Sequence, residues 1–341
     1  MRVIQPIPYL LILGSFCLPS ILFAKTICVD SSSKIQNGDG SCWKRPYLHL
    51  QDALDAALQD KTIKSIWVAK GVYRPTKTYA PLNDQQKPIV GGAFSLPQNN
   101  PGITFSQQSI NYLQAPTKYH EYLKTFQLID GVSIYGGFTG HEKTLEERPK
   151  PTQQNATILE GRLESVFVWH VLSAGNDLTL KGVNTTLDRL TVRNGRAQNG
   201  PYLPKHFPLD KNQVPIYYHD DGGGLYVFAR SKITLNQITF ENNQAIAGGA
   251  IYVQDGSQLY VNDCDFRNNE ALNGAAINAR NGGPNEFAND AKRDTKVVIT
   301  QSRFIDNTSQ LSPVIFANDT QRSSPRNNAL GVIIFLPATI R

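Results

Sequence analysis

The stretch FENNQAIAGGAIYV, from Phe240 to Val253, decides the fold because a close copy, FRNNEALNGAAINA, begins at Phe266. The two phenylalanines are 26 residues apart, and the segments GGGLYV, GGAIYV and GAAINA recur at the same step. A further copy begins at Phe304 after a polar, turn-rich insert, and Val192 occupies the phenylalanine position of an earlier copy. A fixed period interrupted by insertions predicts a solenoid.

The strands within one repeat predict a parallel β-helix. Segments such as GLYVFA, KITLNQITF and QLYVNDCDF are short and alternate in polarity, which favours three strands in each coil of about 26 residues. Coils stack at about 4.8 Å, so equivalent side chains of successive coils lie on one another. We therefore predict an all-β, right-handed parallel β-helix. Its predicted structural residues are a core row (Phe240, Phe266, Phe304), a corner ladder of amides (Asn243, Asn269, Asn307) and a turn pair (Gly248, Gly249).

The segment before the repeats predicts a cap on the solenoid. LHLQDALDAALQD, residues 48–60, has the apolar spacing of a helix, and a short amphipathic helix there would cover the open end. We predict a signal peptide (1–24) and a single β-helix domain (25–341). The predicted parts of that domain are a cap with the first strands (25–70), a long loop insertion (74–125), early coils (126–197), an insert (198–221), repeat coils (222–320) and a terminal strand (321–341), which is truncated or docks on itself or on a partner.

The N-terminus and the cysteines indicate export. Arg2, an apolar run and Ala24 as the cleavage point are the parts of a secretory signal peptide, and we expect no transmembrane helix in the mature chain. In an oxidising compartment a disulfide between Cys28 and Cys42 is favoured, whereas Cys264 lies in a strand pattern and is expected to be a buried thiol.

Charge and motifs exclude several classes of function. The formal net charge is +6, but the basic residues are scattered and form no patch, which argues against a nucleic-acid partner. A mild positive charge is compatible with acidic glycans or an envelope surface, and equally with simple solubility. No P-loop, H-E-x-x-H or G-x-S-x-G motif is present, so we predict neither a cofactor nor a metal.

The repeats resemble those of exported bacterial proteins with polymorphic outer membrane protein repeats of the chlamydial type, within the pectin-lyase-like superfamily. The resemblance rests on F-x-x-N at three positions with GGAI after one of them, and upstream on GDGSCWKRPYLHLQDALDAA, IWVAKGVYRPT, FQLIDGVSIYGGFTG and TLDRLTVRNG. It implies a secreted or outer-membrane surface protein of a bacterium, with adhesion as the role attached to chlamydial members. We expect the segment after Phe304 to be too short for the membrane barrel of autotransporter members, and LPATIR is no sortase signal. The sequence therefore does not predict how the protein is attached to the cell surface.

The outward side chains of the GGGLYV-type strands are candidates for binding a polysaccharide or a host or neighbour cell surface. The predicted outward row is Tyr226, Tyr252, Asn278 and Phe316, with Phe228, Gln254, Arg280 and Asn318 beside it. Its aromatic rings can stack on sugars, or form a ladder that only stabilises the sheet, which we favour. The candidate ligand-binding residues are Tyr226, Tyr252, Phe316, Tyr217 and Tyr218.

The segment YYHDDGGG contains the best acidic cluster. His219, Asp220, Asp221 and Arg280 are the catalytic candidates, because two carboxylates can act as acid and base on a glycosidic bond. Adjacent strand residues point to opposite sides, however, and Asp before Gly is an ordinary turn choice. We predict a binding or adhesion protein, with a polysaccharide lyase or hydrolase and an inactive structural passenger as alternatives; convergence of the acidic cluster with Arg280 would favour the enzyme.

A second pair of acidic residues flanks Cys264. Asp263 and Asp265 stand on either side of this inward-facing residue. Because side chains alternate across a strand, we expect both carboxylates simply to face solvent.

Overall fold

A computed structural model describes residues 24–77, 121–175, 182–198, 220–280 and 295–318, together with the strands at 331–335 and 339–340. Residues 1–23 of the predicted signal peptide, most of the predicted insertions, and Tyr217, Tyr218 and His219 lie outside the described residues. In the described ranges we find no helix with the length and apolarity needed to cross a membrane.

The described strands form four stacked sheets. We number the sheets in the order in which the chain passes through them in one coil, and every strand pairing within them is parallel. Sheet 1 consists of β1 (Lys25–Val29), β2 (Ile63–Ala69), β5 (Ser133–Phe138), β8 (Asn184–Asp188), β12 (Lys232–Asn236), β16 (Gln258–Asn262), β20 (Lys296–Thr300) and β24 (Gly331–Phe335). Sheet 2 consists of β3 (Gly71–Tyr73), β6 (Thr157–Glu160), β9 (Thr191–Arg193), β13 (Thr239–Glu241), β17 (Asp265–Arg267), β21 (Arg303–Ile305) and β25 (Thr339–Ile340).

The two remaining sheets close each coil. Sheet 3 consists of β10 (Arg196–Ala197), β14 (Gln244–Ala247), β18 (Glu270–Asn273) and β22 (Thr308–Ser309). Sheet 4 consists of β4 (Phe126–Gln127), β7 (Leu172–Ala174), β11 (Leu225–Val227), β15 (Ile251–Val253), β19 (Ile277–Arg280) and β23 (Ile315–Asn318). The chain passes from sheet 1 to sheet 4 and returns to sheet 1, which is a parallel β-helix.

The register of sheet 2 confirms the predicted core row. Phe240 pairs with Val192 on one side and with Phe266 on the other, and Phe266 pairs with Phe304. The stacked rings have centroids 5.3 Å and 4.7 Å apart and are almost parallel. All three phenylalanines are fully buried, so the row fills the interior of successive coils.

Each complete coil has four strands, not the three expected from the sequence. The missed element is the sheet 3 strand, for example QAIA in β14. Only Ala245 of that strand is fully buried in the interior, while Ile246 is one of the exposed apolar residues. One small inward residue gives no visible alternation of polarity, which is why the pattern did not reveal this strand.

The predicted amide ladder lies at the corner between sheets 2 and 3. The Asn269 amide nitrogen donates to the Phe240 carbonyl (3.0 Å) and to Asn307 Oδ1 (2.9 Å). Its Oδ1 accepts from both the backbone N–H and the side-chain nitrogen of Asn243, at 3.1 Å each. These buried bonds satisfy the backbone where the sheets change direction.

The glycine pair turns the chain from sheet 3 into sheet 4. Gly248 has φ +66°, and a Cβ there would lie 2.3 Å from the Ile251 carbonyl oxygen. A Cβ at Gly249 would lie 2.5 Å from the Glu270 carbonyl oxygen of the next coil. Both positions therefore require glycine, as the sequence predicted.

The N-terminal helix packs on the first strands of the solenoid. Helix α1 (Leu50–Gln59) buries Leu50, Ala53 and Leu54 against β1, β2 and β4. The predicted disulfide between Cys28 and Cys42 is present beside it. Cys264 is buried as expected, and burial raises the pKa of its thiol to about 12.

Candidate functional site

The outer face of sheet 4 contains the predicted aromatic row. Tyr226 and Tyr252 pack with Phe228 in a small cluster of their own, separate from the interior core. Their rings are stacked with centroids 5.7 Å apart and an angle of 5°. The outward orientation is as predicted, but both rings are only 1 % exposed, so they do not form an open platform for a sugar. Asn278 follows them in the row and is buried, and Phe316, the last residue of the row, is half-buried.

Hydrogen bonds connect the two tyrosines. The amide nitrogen of Gln254 donates to the Tyr226 hydroxyl at 2.8 Å, and the Tyr252 hydroxyl lies 3.2 Å from Gln254 Oε1. Tyr252 also bonds to the carboxyl group of Asp221. Buried hydroxyl and amide groups paired in this way are structurally satisfied, which fits the ladder interpretation of the row.

Asp221 lies at the edge of this cluster, where the chain enters β11. A backbone bridge to Ala247 holds it, and its side chain is half-buried. Burial and, next, the nearby Asp220 raise the pKa of Asp221 to about 8, although the charge of Arg280 acts in the opposite direction. The structure thus brings three of the four catalytic candidates, Asp220, Asp221 and Arg280, into one neighbourhood.

His170 belongs to the same neighbourhood, although the sequence did not single it out. Its ring packs on Tyr226 at 5.1 Å, and its Nδ1 lies 3.0 Å from the Gly222 carbonyl oxygen. Burial lowers the pKa of His170 to about 4, so the ring is neutral near pH 7 and Nδ1–H donates to that carbonyl. No motif surrounds this histidine, and only the stacking of β7 on β11 brings it to the cluster.

A second site, the sheet 2 groove, was not predicted. It is a cavity of about 620 Å³ on the outer face of sheet 2, bounded on one side by residues 151–158. Its lining residues are mostly polar: Gly137, Pro151, Thr152, Gln153, Asn155, Ala156, Thr157, Ile158, Arg189, Leu190, Thr191, Arg193, Gln237, Thr239, Glu241, Asp265, Arg267 and Arg303. A second cavity, of about 700 Å³, shares Arg193 with it, so the two meet at that side chain.

Ion pairs between coils organise the groove. Arg193 lies 2.8 Å from Glu160 and 3.4 Å from Glu241, one on each neighbouring strand. Arg303 donates to Asp265 through Nε (2.5 Å) and Nη2 (2.7 Å). The expectation that Asp265 faces open solvent is therefore wrong, because arginines cover it and leave it 8 % exposed.

One comparison with known proteins identifies the repeat. Residues 237–254 match the model of the Chlamydia polymorphic membrane protein repeat. The chain carries a polymorphic membrane protein repeat. The matched residues contain β13, β14 and β15, with the core phenylalanine, the ladder asparagine and the glycine pair described above. Neither the curated proteins nor the solved structures give a match.

Proposed function

We propose that this protein is exported through its N-terminal signal peptide and acts at the cell surface by binding glycans of a host or neighbouring cell. The observation that carries the proposal is the sheet 2 groove, whose volume lies in the range of ligand sites. Its walls offer guanidinium, amide and hydroxyl groups, which are the groups that bind sugars in proteins. The polymorphic membrane protein repeat supports the surface location.

The stacking of coils makes this groove suitable for an extended chain. Equivalent outward side chains of sheet 2 recur on consecutive strands, as Thr191, Thr239 and Asp265 do. Strands in a sheet are about 4.8 Å apart, so the groove presents polar groups at a regular spacing. A polymer lying along the stack meets a polar group of this row in each coil, which favours a polysaccharide over a compact ligand.

A glycan array with the full chain tests this proposal. The variant Thr239→Trp fills the groove with an indole, and Thr234→Trp places the same ring on the outer face of sheet 1 in the same coil. We expect Thr239→Trp to lose the glycans bound by the wild type and Thr234→Trp to keep them. Unchanged binding by both variants, with folding confirmed by circular dichroism, would contradict the proposal.

Cleavage of a polysaccharide is the second candidate function, favoured by the convergence of Asp221 with Arg280. With a pKa of about 8, Asp221 carries a proton at pH 7 and can act as a general acid on a leaving oxygen. Arg280 can stabilise negative charge beside it. Reducing-sugar release is the measurement; Asp221→Asn should abolish it, and Asp263→Asn, at an exposed carboxylate, should not. Absence of release from the wild type removes this candidate.

A further inference from the structure

We propose that the sheet 2 groove selects polysaccharides that carry carboxylate or sulfate groups, and that it binds these groups through an arginine clamp formed by Asp265, Arg267 and Arg303. The inference rests on the proposed function, since it concerns the same groove and names its ligand class. It is carried by the geometry of the three side chains and by the charge of the groove.

One buried carboxylate holds two guanidinium groups in the clamp. Arg303 meets Asp265 with two nitrogens at 2.5 Å and 2.7 Å, and Arg267 Nη2 reaches Asp265 Oδ2 at 2.5 Å. The Asp265 side chain is 11 % exposed, whereas those of Arg267 and Arg303 are 41 % and 57 % exposed. The negative charge therefore lies beneath and the positive charges face the groove.

The clamp is not neutral. A single arginine would balance Asp265, so the three side chains together carry one excess positive charge, on which the nearby Asp263 also acts. The residues that line the groove include four arginines and two carboxylates, a net charge of +2; Glu160, which is not among them, pairs with Arg193, so the excess is concentrated at the clamp. A neutral sugar gains nothing from this excess, whereas an anionic group is attracted to it.

Donors remain available after the internal bonds are made. A guanidinium group has five N–H donors, and Arg303 uses one edge, Nε and Nη2, on Asp265. The Nε of Arg267 is buried and has no hydrogen-bond partner among the described residues, which is unfavourable. A small rotation of this group towards an incoming oxyanion would give it a partner. Because Asp265 already orients both planar groups, little side-chain freedom is lost when an anion binds.

Binding of three polymers with one backbone tests the inference: dextran, carboxymethyl-dextran and dextran sulfate. We expect the full chain to bind at least one charged dextran at least about tenfold more tightly than dextran, because charge-assisted hydrogen bonds are the stronger ones. Added salt should weaken this binding. The carboxylated and sulfated polymers distinguish which oxyanion the clamp prefers.

Two variants at Arg303 and one control variant distinguish binding by the clamp from attraction by the net charge of the protein. Arg303→Gln removes the charge and should lower affinity for the preferred charged dextran about tenfold. Arg303→Lys keeps the charge but loses the planar edge, and should fall between the wild type and Arg303→Gln. Lys64→Gln removes an exposed charge from sheet 1 and should leave affinity unchanged. Arg303 is largely exposed, so these substitutions leave the interior intact.

Several outcomes would overturn the inference. One such outcome is that the wild type binds dextran and both charged dextrans with equal affinity and that Thr239→Trp binds none of them. The proposed glycan binding would then stand, but the selectivity for anionic groups would not. An equal loss in Lys64→Gln and Arg303→Gln would assign the attraction to net charge and not to the clamp. Failure of both charged dextrans to bind would also overturn the inference. The glycan array tests the proposed glycan binding independently of this result.

Discussion

At the scale of single residues, the amide ladder shows how one side chain can stabilise a corner of the coil. Replacing Asn269 with alanine removes two donors and an acceptor and leaves the Phe240 carbonyl and the Asn243 N–H buried without these partners. Since each buried unsatisfied group costs about 1–3 kcal/mol, we expect Asn269→Ala to lower the free energy of unfolding by about 3 kcal/mol. Urea denaturation measures this.

The matched control for the ladder is Asn37→Ala, at an exposed position of the N-terminal region. Surface substitutions usually change stability by no more than about 0.5 kcal/mol, so its unfolding curve should stay close to that of the wild type. Equal destabilisation by the two variants would mean that the ladder contributes nothing beyond the loss of a side chain.

The residues around Asp221 predict an unusual dependence of stability on pH. Between the ordinary Asp pKa of 3.8 and about 8, the folded chain keeps a proton on Asp221 that the unfolded chain releases. The free energy of unfolding therefore falls as pH rises through this range, by about 1.4 kcal/mol per pH unit. His170 has the opposite effect between about pH 4 and 6.5, where only the unfolded chain binds the proton. The two contributions cancel below pH 6.5, so the fall becomes visible above it.

Asp221→Asn should remove the fall between pH 6.5 and 8 and uncover the rise between pH 4 and 6.5 that His170 causes. Urea unfolding at a series of pH values measures both effects. Asp263→Asn, at an exposed carboxylate, is the control and should keep the wild-type profile. Superimposable profiles for the wild type and Asp221→Asn would contradict the raised pKa.

Single residues also show what the sequence could and could not predict. Phe240, Asn243 and Gly248 were assigned correctly because each recurs in later coils at a position equivalent to its own. Asp265 was not, because the alternation of side chains places it on the outer face but does not indicate that Arg303, at the equivalent position of the next coil, extends across the carboxylate and covers it. The ion pairs of the groove join residues 33, 48 and 38 positions apart. The last two are also the steps from Val192 to Phe240 and from Phe266 to Phe304, so the repeat predicts which strands are neighbours but not the contacts between their long side chains.

At the scale of elements, the turn between sheets 3 and 4 depends on backbone geometry that only glycine provides. Gly248 and Gly131 have similar positive φ values, +66° and +72°. A Cβ at Gly248 would lie 2.3 Å from a carbonyl oxygen, whereas one at Gly131 would meet only the end of Lys64, at 3.6 Å. Alanine at Gly131 therefore measures the cost of the left-handed conformation alone, whereas alanine at Gly248 measures that cost together with the cost of the clash.

We expect Gly131→Ala to lower the free energy of unfolding by about 1–2 kcal/mol, the cost of the left-handed conformation alone. Gly248→Ala should lower it by at least about 2 kcal/mol more, because the turn must shift to relieve the clash. Thermal or urea unfolding of the two variants measures the difference. Equal losses would show that the turn relaxes freely.

The sheet 3 strands show why the number of strands was underestimated. A strand of four residues with one buried alanine contributes little apolar area, and its place is set by the amide ladder before it and the glycine turn after it. Its backbone hydrogen bonds to neighbouring coils define it, and those bonds have no signature in the linear sequence. On the outer face of sheet 4 the strand pattern predicted the outward direction of Tyr252, but its burial depends on packing that the pattern does not contain.

At the scale of the whole molecule, a solenoid transmits stability only between neighbouring coils. The disulfide between Cys28 and Cys42 closes a short loop beside helix α1, at the start of sheet 1. Its loss should destabilise this end by about 3 kcal/mol, the effect of closing a loop of this length. The coils from β12 to β21 contact neither cysteine through their own strands, so their local stability should not depend on the bridge.

Hydrogen exchange followed by mass spectrometry tests this locality. In the double variant Cys28→Ser, Cys42→Ser we expect faster exchange in β1 and β2, where the cap packs, and unchanged protection in β13 and β17, because opening of the cap uncovers only the first coil. Cys264→Ser alters a buried position inside the repeats. It should therefore speed exchange in β13 and β17 and leave protection in β1 and β2 unchanged. Uniformly faster exchange in both regions of the double variant would mean that the chain unfolds as one cooperative unit, in which the cap stabilises every coil and not only its neighbour.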